Sequence, residues 1–517
     1  MALDPRTPVL VGVGQVTNLP DPGIALEERP EPVDLMVKAL RAAAEDCDGA
    51  SPGGSARAGD RLLGRAGSLR VVGALGWRAT NPGMLVAERL GIDPSEQMLT
   101  GIGGNMPQSL LHQSARSIAR GDLDVVLVTG AECLYTRGAA ERDPGRPSLH
   151  WTTQPSDETP PPVAFGADRA PATDLEMARG ILLPVHAYPL LENALRGAEG
   201  WTLDDHRDRV GGLWSRFSEV AAANPYAWLR RAFTPAEVTE PGASNRMIAF
   251  PYTKLCTANI GVDQGAAYIC CSLAAARDAG VPEDRWVFPL AGADAHDHWF
   301  LSEREQLHRS PAIHIAGDRA LALAGVGIDD VSAVDLYSCF PVAVQMGAAE
   351  LGLPLDDPDR PLTLTGGLTF AGGPGNNYTT HGISSMVSRL RESPGAVGIT
   401  TGLGWYATKH AVGLYSSRPP DHQGHDGFRW EDVQEEVDAL PRCPVDESAT
   451  GPVRVETYTV TYDRDGMPER GILACRTPIG SRTWANVTDP DELLALTTTE
   501  AIGRLGNLDS GGILTLS

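Results

Sequence analysis

Four short stretches gather side chains able to do chemistry. "DLYSCFP" (Asp335–Pro341) ends an apolar run and bunches Tyr337, Ser338 and Cys339. A phenol and a thiol at the C-terminal end of a strand in an α/β fold commonly face a site and can move protons or attack a carbonyl. With no further context, a buried cysteine and a packing tyrosine fit the same residues. "TLTGGLTFAGGPGNNYTTHGISS" from Thr363 is the most glycine-dense stretch, with Asn376, Asn377 and His381 beside the glycines. Its backbone N–H groups at a helix start suit an oxyanion or a phosphate. "TTGLGWYATKH" (400–410) adds a glycine turn at Gly404 followed by Lys409 and His410. "GIGGNMPQ" (101–108) has the form of a catalytic helix entrance, yet Gly104 and Asn105 stand where a nucleophile is expected.

Two other motifs are weaker. "DAHDHWF" holds Asp294, His296 and His298; an H-x-H on a strand places both rings on one face, as zinc requires, with His308 or His314 as remote further ligands. A polar loop lining a cleft fits it better, and no metal is expected. "GVGQV" (Gly12, Gly14) lacks the third glycine and the later acidic residue of a dinucleotide loop, so a tight turn at a strand end is the reading. A G-x-x-x-x-G-K-[ST] loop is absent.

Around these motifs, strand and helix patterns alternate through roughly the first 415 residues, which indicates an α/β class. "TPVLVGVGQV", "SLRVVGALGW" and "DLDVVLVTGAE" read as strands, and "EPVDLMVKALRAAAEDC" as an amphipathic helix. Residues 1–135 and 246–417 read as the two halves of a core. Between them, 136–245 is a Pro-rich and then helical excursion, a loop or lid domain. Residues 418–430 read as a linker. The stretch 431–517 alternates β-favouring residues about an Asp-Gly turn, a small all-β unit. With 517 residues, net charge −23 and no apolar run of membrane-spanning length, the chain reads as cytoplasmic, with no nucleic-acid partner and no membrane span. Its eight scattered cysteines read as reduced thiols, its N-terminus shows no signal peptide, and its wealth of Arg over Lys suggests a high-GC bacterial genome.

Taken in order, seven segments resemble the thiolase superfamily, specifically its sterol-carrier-protein-type branch: "VLVGVGQV", "SARSIARGDLDVVLVTGAE", "AAANPYAWL", "NIGVDQGAAYICC", "VDLYSCF", "GGLTFAGGPGNN" and "TTGLGW". The whole chain resembles mycobacterial thiolase-like proteins of type 1. This implies a duplicated, five-layered αβαβα thiolase fold with an inserted loop domain and a C-terminal OB-like domain. It also implies acyl-CoA as ligand, with CoA a part of the substrate rather than a bound cofactor. A monomer or homodimer is expected, with a possible protein partner at the C-terminal domain.

The family's catalytic residues do not carry over. Its nucleophilic cysteine falls on Gly104, and its Asn-Glu-Ala-Phe or His-Asp-Cys-Phe motif on Tyr337, Ser338, Cys339 and Phe340. Its activating histidine falls on Gly373, and its second cysteine near Thr400. Acyl-cysteine chemistry therefore lacks its nucleophile. Expected in its place is C–C bond making or breaking beside a CoA thioester, as in retro-aldolases of steroid side-chain degradation. Tyr337, Cys339, His381 and His410 are the catalytic candidates. Gly104, Asn105, Gly373, Asn376, Asn377 and Gly404 are the oxyanion or substrate-binding candidates. Tyr337 is expected to act as acid–base with its pKa lowered or relayed through His381 or His410; acyl transfer by Cys339 is second. The alternative is a non-catalytic acyl-CoA or lipid binder.

Overall fold

Long runs such as "VVLVTGAEC" and "DQGAAYICCS" hold no solvent-facing residue, and both become strands buried on two faces. The computed structural model describes residues 3–49, 57–167, 169–420 and 428–517. In the first half lie β1 (Pro8–Thr17), β2 (Ser68–Val71), β3 (Glu96–Thr100), β4 (Val125–Cys133) and β5 (Val163–Phe165). Two short strands, β6 (Met247–Ala249) and β7 (Tyr252–Thr253), precede β8 (Asp263–Ser272). The first sheet runs β1-β8-β4-β2-β3-β5. Beyond it come β9 (Phe288–His296), β10 (Val331–Asp335), β11 (Val397–Gly404), β12 (Lys409–Ser416) and β13 (Arg429–Asp432), in the order β10-β11-β12-β9-β13.

Two helices lie between these sheets, Met106–Arg120 and Tyr378–Glu392, each touching strands of both. The first begins with Pro107 in its opening turn and stops at Gly121 in the left-handed conformation. It buries ten of its fifteen residues, as a central layer demands. Outer helices complete the stack: Pro32–Cys47 covers β1, β8 and β4, and Pro311–Ala324 covers β9 and β12. Gly12 and Gly14 therefore do not form a turn. They sit in β1 under the helix Pro32–Cys47, where an added Cβ would strike the carbonyls of Ala43 and Ala39.

The expected boundaries need two adjustments. β13 straddles the boundary expected at 430: Arg429 and Trp430 fall in the expected linker and Glu431 and Asp432 in the expected C-terminal unit, and the strand runs parallel to β9 with the Trp430 indole donating to Asp294. Residues 421–427 of that linker lie outside the described residues. The third sheet, β14 (Gly451–Tyr462), β15 (Pro468–Arg476), β16 (Arg482–Val487), β17 (Leu505–Leu508) and β18 (Leu514–Leu516), also takes in β6 and β7 from beyond the insert. A bridge from Asn486 to Ile513 curls its far end back toward β16.

This C-terminal sheet is stitched to the rest. Arg482, wholly buried, donates to the carbonyls of Leu301 (3.0 Å) and Ser302 (3.1 Å) and pairs with Glu456. Thr457 donates to the Leu190 carbonyl at 2.6 Å and Asn193 to that of Tyr458 at 2.9 Å. Among the described residues no helix is long and apolar enough to cross a membrane.

Candidate functional site

The fold brings the entrance of the helix Met106–Arg120 against the end of β10. The Tyr337 side chain points at Gly104: a Cβ built there would lie 2.5 Å from the Tyr337 Cζ and from the Leu403 carbonyl oxygen, and closer still to the Tyr337 hydroxyl. Real Cβ atoms do not approach so closely. The tyrosine hydroxyl thus fills the space a residue-104 side chain would need, and Gly104 is required by that contact. Its own φ is not in the positive range.

Tyr337 is held from two sides. Its amide donates to Thr401 Oγ1 at 2.9 Å, and its ring meets Tyr378 edge-on, 5.4 Å between centroids at 87°. The Tyr378 hydroxyl is itself within 2.6 Å of Thr365 Oγ1 and 3.4 Å of Ser338 Oγ. Burial first, then the neighbouring Cys339 and Tyr378, pushes the Tyr337 phenol well above its ordinary value of about 10. That corrects the expectation of a lowered value: Tyr337 keeps its proton and is a donor.

Next to it, Thr379 Oγ1 donates to the Gly104 carbonyl at 2.6 Å, fixing the entrance. The N–H groups of Gly104 and Asn105 donate to no acceptor among the described residues. Asn105 Oδ1 is buried and unpartnered as well. It lies against Gly103 and Gly404, where a Cβ on Gly404 would come within 2.7 Å of it. Unpaired donors at a helix start favour negative charge. A cavity of about 620 Å³ runs along the same helix from Asn105 to Arg116, walled by Phe165, Trp299 and Trp430.

His410 lines that same cavity, but Asn376, Asn377, Gly373 and Thr400 are committed elsewhere. Asn376 accepts from the Gly103 N–H at 2.9 Å and donates to the Gly73 carbonyl at 2.7 Å. Asn377 donates to the Gly130 carbonyl and accepts from Thr380 Oγ1, both at 2.6 Å. Both asparagines clamp backbone instead of facing a ligand. The Gly373 N–H is used by the Asn259 carbonyl at 2.9 Å. Thr400 hydrogen-bonds Gln108 (2.6 Å) and Tyr415 (3.1 Å) inside the core.

His381 holds Gln15 at 2.9 Å and lines a separate chamber of about 10 Å³. Burial drops its pKa to about 3, so it stays neutral. His410 Nε2 lies 3.2 Å from Asp297 and 3.3 Å from Ser310. Neither histidine hydrogen-bonds Tyr337, so the expected relay is not formed. The Cys339 thiol is pushed up to about 12 by burial, against the easing effect of the Tyr188 hydroxyl beside it, and forms no ready thiolate. His296 and His298 do not share a face toward a common centre: His296 Nδ1 meets the Asp297 carbonyl and His298 Nε2 that of Pro441. Among the described residues no cluster of three or more His, Cys, Asp or Glu is placed to hold a metal.

Two contributors escaped the sequence reading. Tyr188, from the insert, stacks on Phe340 at 4.3 Å and bridges the Trp405 carbonyl and the Ala407 N–H, both at 2.9 Å. It thereby braces a turn in which Trp405 and Ala407 hold positive φ of 57° and 49°. Glu132, at the end of β4, accepts from the amides of Leu75 and Gly76 and is raised by burial to about 7. Tyr188 left no local signal, because its partners come from the other half of the core.

Residues 432–512 match the thiolase-like protein type 1 additional C-terminal domain. The crystal structure of a monomeric SCP2-thiolase-like protein type 1 from Mycobacterium smegmatis is 34% identical, with a TM-score of 0.82 over 100% of both chains. The Ltp2–ChsH2(DUF35) aldolase is 17% identical with a TM-score of 0.55, over 80% of this chain and 99% of that one. The dimeric peroxisomal thiolase of Saccharomyces cerevisiae is 12% identical with a TM-score of 0.53, over 80% and 98%. The last two show the fold alone. No curated protein matches the sequence.

Proposed function

The chain belongs to the SCP2-thiolase-like proteins of type 1, and from that premise we propose that it binds an acyl-CoA thioester and cleaves or forms the C–C bond next to it without an acyl-enzyme. One observation carries this reading: the hydroxyl of Tyr337 stands in the space of a side chain at Gly104. A nucleophile has been exchanged for a proton donor beside unpaired N–H groups at a helix start. That set suits a thioester enolate, whose oxygen takes the N–H groups while Tyr337 supplies a proton.

In the retro-aldol direction the β-hydroxyl loses its proton and its C–O bond becomes C=O. The Cα–Cβ pair passes into an enolate-like thioester, and Cα takes the Tyr337 proton in the same step as the phenol oxygen takes the β-hydroxyl proton, so no separate base is needed. No oxidant, metal or second thiol enters. The aldolase among the structural neighbours is compatible with this reading but too distant in sequence to carry it. Acyl transfer by Cys339 has less support, since its thiol stays protonated.

A second reading, ligand binding without chemistry, draws on Asn376 and Asn377, whose amides are spent on backbone. Calorimetric titration with free CoA, saturated acyl-CoAs and β-hydroxyacyl-CoAs, with masses of the same samples, separates the two. A new, shorter CoA ester supports the lyase. Binding with unchanged esters supports the carrier, and no binding refutes both.

A further inference from the structure

His381 and Gln264 line one small chamber, of about 10 Å³, which is room for one water molecule and no larger ligand. Both halves of the core and the insert build its wall: Gln15 from β1, Gln264 from β8, Tyr378 and His381 from the central helix Tyr378–Glu392, and Asn224 and Tyr226 from the insert. Most polar side chains there are already paired. Asn224 donates to the Thr365 carbonyl at 2.8 Å and accepts the Tyr226 N–H at 2.9 Å. The Tyr378 hydroxyl lies 2.6 Å from Thr365 Oγ1.

Two atoms are buried without a partner, Nε2 of His381 and Oε1 of Gln264. Their residues are only 5% and 2% exposed. Both atoms are acceptors. The His381 ring is kept neutral by burial, and its Nδ1–H goes to Gln15 Oε1 at 2.9 Å, which leaves the lone pair at Nε2. Gln264 is oriented by its other corner, where Nε2 donates to the carbonyls of Ala371 at 2.9 Å and Tyr226 at 3.1 Å. The remaining corner of that amide is therefore the oxygen. It is also the atom nearest to a Cβ built on Gly372, another residue of the wall.

A buried acceptor without a donor is costly, and two of them on one chamber require an occupant with two donors. Among the described residues no carboxylate lines the chamber, so an ammonium-like cation would lack a counter-charge. We infer that the chamber is a binding site for one ordered water molecule, which donates its two protons to His381 Nε2 and Gln264 Oε1. That water joins β8 of the first half to the central helix of the second. Neither Gly104 nor Tyr337 lines the site, and His381 serves in it as a holder of water instead of an acid–base group.

A high-resolution crystal structure of the full, unaltered chain tests this. A single solvent peak is expected at hydrogen-bonding distance, about 2.7–3.2 Å, from both atoms. Magnetic relaxation dispersion of the solvent counts long-lived internal waters in solution, and that count should fall by one in His381→Phe. Because this variant also loses its bond to Gln15 and can fail to fold, the crystal structure decides alone if it does. A chamber without a peak overturns the inference, as does a peak touching only one of the two atoms. An unchanged water count in folded His381→Phe overturns it too.

Discussion

Gly104→Ala isolates the contact on which the account rests. At a residue whose φ is not positive, glycine to alanine is ordinarily neutral or stabilises by about 0.4–1 kcal/mol. Here the new methyl meets the Tyr337 phenol and the Leu403 carbonyl oxygen. The carbonyl belongs to β11 and cannot rotate away, and the phenol is pinned by Tyr378 and by its amide bond to Thr401. Overpacking of this kind costs roughly 1–3 kcal/mol, and two rigid neighbours put the expectation near ~3 kcal/mol. Tyr337→Ala removes the phenol at its own cavity cost of about 3 kcal/mol or more, but leaves only the carbonyl to oppose the methyl. Gly104→Ala in that background should then cost about 1–2 kcal/mol less than in the parent. Urea unfolding of the four proteins of this cycle gives the coupling directly. A coupling within about 0.5 kcal/mol of zero would refute the steric exchange of residue 104 for Tyr337.

Three further outcomes are expected. Cys339→Ala should leave steady-state turnover of any CoA ester unchanged, because the thiol is held protonated near 12; a loss of kcat beyond about tenfold would return the cysteine to the mechanism. Burial lifts Glu132 from 4.5 to about 7 in the folded chain, so as the pH rises the unfolded chain releases this proton first. The cost of burying the carboxylate is absent below about pH 4 and complete by about pH 7, and Glu132→Gln should flatten the fall in unfolding free energy over that window by roughly 2–3 kcal/mol. Arg482→Ala leaves Glu456 with Arg476 alone and strands the carbonyls of Leu301 and Ser302 beneath the C-terminal sheet, and should cost about 3 kcal/mol in chemical unfolding.

Much of the fold was legible from residue pattern. Doubly buried strands such as β4 and β8 announce themselves as continuous Val, Ala, Ile and Cys runs, and the segment order identified the family. β13 was hidden because its four residues, "RWED", carry no strand pattern of their own and are held by partners distant in the chain: β9 in parallel register, Asp294 at the Trp430 indole and Arg319 at Glu431. For the site, the sequence supplied Gly104 and Tyr337 as candidates but not their contact, since they come from opposite halves of the core. Glycine density around Asn376 and Asn377 suggested an oxyanion cradle. The structure spends those amides on Gly73, Gly103 and Gly130, because a loop rich in glycine needs side-chain clamps to hold its shape. The relay from His381 failed for a physical reason: its helix turns it toward Gln15, where burial keeps the ring neutral.

The most direct test of the account is a single-turnover comparison of the unaltered chain with Tyr337→Phe on a β-hydroxyacyl-CoA, reading CoA esters and intact protein by mass. The account predicts that the unaltered chain yields a shorter CoA ester with no acyl adduct on the protein. Tyr337→Phe should bind the ester with similar affinity and form product at least about a hundredfold more slowly, as expected for loss of a general acid. Undiminished turnover in Tyr337→Phe, or an acyl group found on the protein, would contradict it.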